Sequence, residues 1–189
     1  MEQATALVLG ATGGIGGETA AALLRRGWQV RALARDPARA AAQWPAGTAK
    51  PQWLAGDAMD ADSVIAAAHG ASLIVHAVNP PGYRHWGSLV LPMIDSTIRA
   101  AEATGARIVL PGTVYNYGPD AFPFIAEDAP QHPRTRKGAI RVQMEQRLRA
   151  AADRGVRTLI VRAGDFFGPR AGNNWFSQGL VKPGRPLAA

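Results

Sequence analysis

Seven residues near the N-terminus leave few folds open to this chain. Gly10-Ala11-Thr12-Gly13-Gly14-Ile15-Gly16 follows the apolar run Thr5–Leu9 directly and leads into Gly13–Arg26, an Ala- and Leu-rich stretch with Ala20, Leu23 and Leu24 at helical spacing. A buried strand, spaced glycines and a helix in that order open a βαβ unit that binds a dinucleotide. Gly10 allows the tight turn, Gly13 leaves the pyrophosphate room, and Gly16 lets the helix pack close to the sheet. The free N–H groups and partial positive charge at the helix start favour phosphate. Gly10, Thr12, Gly13, Gly14, Ile15 and Gly16 are therefore expected to line the cofactor.

The same alternation continues down the chain. Strands are expected at Gln29–Ala34, Gln52–Leu54, Ser72–Val78, Arg107–Leu110 and Thr158–Val161. Helices are expected at Pro37–Trp44, Asp60–Ala68, about Gly87–Thr104 with Pro92 in its early turns, and Lys137–Arg154. Pro111–Arg136 has no periodic pattern, and a loop of that length is usually functional. The fold class that follows is α/β: a Rossmann-type, doubly wound sheet of about six parallel strands with helices on both faces. Its ligands bind at the carboxyl ends of the strands.

The second strand ends at Arg35-Asp36-Pro37-Ala38-Arg39. Arginine there suits the 2′-phosphate of NADP, and an acid would suit the 2′-hydroxyl of NAD. Asp36 before Pro37 reads as a helix N-cap, so Arg35 makes NADP the expected cofactor and NAD the second choice. Asp57 and Ala58 close the third strand, where a carboxylate could accept the adenine amino group; a plain loop cap is the alternative. Ala77, Val78 and Asn79 leave the fourth strand and would line the cofactor midway.

A chain of 189 residues fits one domain spanning 1–189, and its 47% hydrophobic content is ordinary for a globular protein. No apolar run is long enough to span a membrane, and no cysteine is present for disulfides or thiolate chemistry. The expectation is a cytoplasmic protein with no membrane partner. The net charge of +7 is carried by arginines scattered over many segments, with no nucleic-acid module, so the charge is expected to attract a small anionic substrate. The four histidines show no metal-ligand spacing, and no metal site is expected. His76, on an apolar strand, reads as a core residue.

Gly10–Gly16, Gly56-Asp57, the loop Gly112-Thr113-Val114-Tyr115-Asn116-Tyr117-Gly118 and the segment Arg162–Pro169 together resemble the extended short-chain dehydrogenase/reductase family, the NAD-dependent epimerase/dehydratase superfamily. The resemblance covers nearly the whole chain and implies an NAD(P)-dependent oxidoreductase or epimerase/dehydratase-like enzyme. Its substrate would be a polar, anionic carbonyl or hydroxyl compound. In this family a Ser or Thr holds the reacting oxygen, and a Tyr-x-x-x-Lys pair moves the proton and binds the nicotinamide ribose. Counting from Tyr117-Gly118 places the Ser/Thr on Thr113; anchoring on Glu145 places the Tyr on Lys137 and the Lys on Arg141.

No Tyr-x-x-x-Lys occurs anywhere in the sequence. Lys137 and Arg141 share a helix face, and either transfer a proton or bind ribose, phosphate or substrate. Tyr115 is the first alternative acid, followed by Tyr117 and Tyr83, and His132 is a further candidate for substrate contact. A non-catalytic NADP(H)-binding, redox-sensing or regulatory protein is the alternative function. The resemblance further implies that 162–189 begins a substrate-binding region that continues in the family. It also implies a homodimer through Gly87–Thr104 and Lys137–Arg154, helped by stripes of Ile94, Ile98, Ile140, Met144 and Leu148.

Overall fold

The computed structural model describes residues 3–80, 85–164 and Phe166. Six strands, β1 (Thr5–Leu9), β2 (Gln29–Ala34), β3 (Gln52–Ala55), β4 (Leu73–His76), β5 (Arg107–Thr113) and β6 (Thr158–Ala163), form one sheet in the order β3-β2-β1-β4-β5-β6. Every pairing is parallel. The order reverses between β1 and β4, which opens a crevice above their carboxyl ends.

The connecting helices are α1 (Gly14–Arg25), α2 (Pro37–Gln43), α3 (Ala61–Ala68), α4 (Trp86–Thr104) and α5 (Arg136–Asp153). β1 is buried along its whole length because both sheet faces are covered. Leu7 and Leu9 enter a large core with Val64 of α3, Ile94 of α4 and Met144 of α5. Val8, pointing the other way, packs with Ala20 and Leu23 of α1 and with Trp44 after α2. Successive side chains alternate faces, so one strand serves both cores.

Two expectations are corrected. β5 does not stop at Leu110 but runs through Pro111 and Gly112 to Thr113. β4 pairs β5 only as far as Val109, so Pro111 is flanked in the ladder by β6 alone, a position where a missing N–H is tolerated. The stretch after it also holds a short 3₁₀ turn at Pro119–Ala121. The second correction concerns the apolar stripes of α4 and α5. Ile94, Ile98, Ile140, Met144 and Leu148 are all buried against the chain's own sheet, so they leave no apolar stripe for a partner. The outward sides carry the ion pairs Arg147–Asp95 and Arg154–Glu102 between the two helices.

Among the described residues, no helix is long and apolar enough to cross a membrane. No group of three or more metal-ligating side chains is found among them either. Tyr83 and the segment 167–189 lie outside the described residues.

Candidate dinucleotide and substrate crevice

The glycine turn links the end of β1 to the first turn of α1. Gly10 has φ +83°, and a Cβ on it would lie 2.5 Å from the Ala77 carbonyl oxygen. That close approach brings the exit of β4, with Ala77, Val78 and Asn79, against the turn. A Cβ on Gly16 would lie 2.2 Å from the Gly10 carbonyl oxygen, so α1 can begin here only on a glycine. Gly13 is different. Its φ is −89°, open to any residue, and its Cβ would meet nothing closer than the Gly10 oxygen at 3.4 Å. The protein itself asks for no glycine at 13. Gly13 is the N-cap of α1, and no side chain caps the helix start, where free N–H groups attract an anion. Thr12 and Ile15 are exposed in this turn.

At the second-strand exit the expected N-cap is present. Asp36 caps α2, its Oδ1 accepting from Arg39 N at 2.9 Å, and Arg35 stands exposed beside it. One oxygen of the Asp36 carboxylate is thus engaged with the start of α2. Asp57 Oδ1 accepts from Met59 N at 2.9 Å, the loop-cap role, next to nearly buried Ala58.

Tight backbone packing brings the start of α5 against the loop after β5. A Cβ on Gly138 would lie 2.3 Å from the Tyr115 carbonyl oxygen, so the first turn of α5, with Lys137, is pressed onto the loop that leaves β5. Thr113, buried at the end of β5, accepts a long bond from Tyr115 N at 3.4 Å. Tyr115 is 39% exposed and remains a candidate. The Tyr117 hydroxyl is buried with no hydrogen-bond partner among the described residues, and the Arg162 guanidinium lies 5.6 Å from its ring centre. His132 pairs with Asp120 at 2.8 Å on an exposed part of the loop. Arg141 turns toward α4, its guanidinium 5.1 Å from the centre of the Trp86 ring.

His76 is a core residue, as expected. Its pKa is pushed down to about 3, first by burial and then by the charge of Arg141. His76 Nδ1 lies 2.7 Å from Thr97 Oγ1, which also lies 3.1 Å from the Met93 carbonyl oxygen. The buried ring is neutral.

Sequence reasoning missed one group. Glu145, 1% exposed, accepts from Arg162 Nε at 3.0 Å and Nη2 at 2.7 Å, and from Gln131 Nε2 at 2.7 Å. Gln131 in turn accepts from Asn116, which contacts Thr113 Oγ1 at 3.5 Å. The hydrogen bonds to Glu145 raise Arg162 above its ordinary value. A buried ion pair with its remaining valences filled thus ties α5, β6 and the loop after β5 together.

Comparison with known proteins agrees with this frame. Residues 6–182 match the model of the NAD dependent epimerase/dehydratase family. A 3-diazoavenalumate denitrifying reductase from a Streptomyces species is 30% identical, across 88% of this chain and 57% of that protein. Among solved structures, a UDP-N-acetylglucosamine 4-epimerase from Methanobrevibacter ruminantium M1 superposes with a TM-score of 0.77 at 17% identity, covering 90% of this chain and 57% of that one. The Bordetella bronchiseptica enzyme WbmG, solved with NAD and UDP, gives 0.72 at 20% identity over 90% and 56%. The chain therefore spans little more than half the length of these relatives. On the family match and the fold together, this chain belongs to the NAD-dependent epimerase/dehydratase family.

Proposed function

We propose that the chain is an NADP-dependent oxidoreductase acting in the cytoplasm on a polar, anionic compound. The observation that carries the dinucleotide reading is Gly13: neither backbone conformation nor packing requires a glycine there, whereas a pyrophosphate seated on α1 would. The residues present fit such a cofactor. Gly10–Gly16 face the phosphates, Arg35 the 2′-phosphate, Asp57 and Ala58 the adenine, and Ala77, Val78 and Asn79 the middle of the molecule. When bound, the cofactor supplies or accepts a hydride.

The protein's own part is to hold and orient. Thr113 would contact the reacting oxygen, and Lys137, or Tyr115 in its place, would move a proton. Arg134, Arg136, Lys137 and Arg141 supply the positive charge that draws an anion to the crevice. The named relatives are enzymes, one of them a reductase, so a non-catalytic sensor gains no support from them. A homodimer, if formed through α4 and α5, would use their polar outer sides.

Titration with NADPH and NADH tests the cofactor assignment. Arg35→Ala should weaken NADPH binding by about 1.5–3 kcal/mol, the range for a hydrogen bond to a charged group, and leave NADH almost unaffected. Equal losses for both, or tighter NADH binding by the unaltered chain, would overturn it.

A further inference from the structure

Three residues from separate elements meet beside the crevice. The Trp86 indole Nε1 donates to Asn79 Oδ1 at 2.7 Å, and the Arg141 guanidinium lies over the ring, 5.1 Å from its centre. Asn79 follows β4, Trp86 opens α4 and Arg141 lies in the second turn of α5. All three therefore sit at the carboxyl edge of the sheet, on the β4–β5 side of the point where the strand order reverses. Trp86 is only 6% exposed, so the indole is fixed by its surroundings. His76, whose pKa is lowered by burial and then by the charge of Arg141, stays neutral and adds no charge of its own.

A planar guanidinium lies well on an indole face, whereas an ammonium acts as a hydrated point charge. Resting on the dinucleotide reading above, we propose that Trp86 is a positioning residue: clamped by Asn79, it holds the Arg141 guanidinium at the β4 exit, against the nicotinamide half of the bound dinucleotide. Trp86 itself touches neither cofactor nor substrate. Its effect is confined to ligands long enough to reach Arg141.

Calorimetry on the full chain separates this from a plain structural role by using two ligands. NADPH spans both halves of the crevice; adenosine 2′,5′-diphosphate fills only the adenine half. Trp86→Leu should weaken NADPH by about 3- to 30-fold, the span of a cation–π contact, and leave adenosine 2′,5′-diphosphate unchanged. Trp86→Phe, which keeps a ring face and perturbs packing less, should recover part of the loss. In an Arg141→Met background, Trp86→Leu should cost nothing further. Unchanged NADPH affinity in Trp86→Leu, equal weakening of both ligands, or losses that add to those of Arg141→Met would each overturn the proposal. If the unaltered chain binds neither ligand, the dinucleotide reading itself falls, and this proposal with it.

Discussion

The same small addition has opposite consequences at two glycines three residues apart. On Gly16 a Cβ would strike the Gly10 carbonyl at 2.2 Å; on Gly13 it would stay 3.4 Å from the same atom. Gly16→Val should therefore destabilise the fold by at least the roughly 1–3 kcal/mol typical of overpacking. Gly13→Val should unfold in urea within about 1 kcal/mol of the unaltered chain and bind no NADPH. NADPH bound at normal affinity by Gly13→Val would place the cofactor elsewhere. The turn was legible from sequence because its glycines follow a strand and open a helix. The motif also assigned Gly10 and Gly16 to the chain and Gly13 to the ligand; the distance of each Cβ from its neighbours, which no sequence prints, supplies the physical reason.

At the level of elements, the first turn of α5 packs against the loop that leaves β5. Gly138 lets the helix approach the Tyr115 carbonyl, which sets Lys137 beside the loop that follows Thr113. If Lys137 transfers a proton, Lys137→Met should lower turnover by roughly 10²–10⁴ with cofactor affinity nearly intact, and Thr113→Ala should also impair turnover. A loss of binding with the pH–rate profile preserved would instead make Lys137 a ligand-holding group. The six-strand alternation was readable from apolar periodicity, but the end of β5 was not. Pro111-Gly112 reads locally as a breaker, yet Gly112 is needed because a Cβ would come within 2.9 Å of Ile160 on β6. The Glu145–Arg162 pair was hidden for a related reason. Its partners stand on a helix and a strand, and no local periodicity links them.

Across the whole molecule, His76 makes stability depend on pH. In the folded chain it holds no proton until about pH 3, whereas an unfolded histidine is protonated below about 6.5. Between those values the unfolded chain binds more protons, so stability falls as pH falls, by up to about 1.4 kcal/mol per unit. Asp60 and Asp120, held below the usual carboxylate range by Ser63 and His132, add their own decline at lower pH. Urea unfolding at pH 6.5 and pH 4.5 should show a smaller drop for His76→Leu than for the unaltered chain. Thr97 keeps its bond to Met93 in that variant, so its hydroxyl is not left stranded. Equal drops would remove His76 as the cause. The open space around Gly13 reaches beyond the test tube: because that position contributes little to holding the chain together, its valine form is a means of genetic dissection. A cell carrying it would keep the polypeptide at its normal abundance while losing the chemistry, so a phenotype shared with gene deletion belongs to the reaction, and one seen only on deletion belongs to the scaffold.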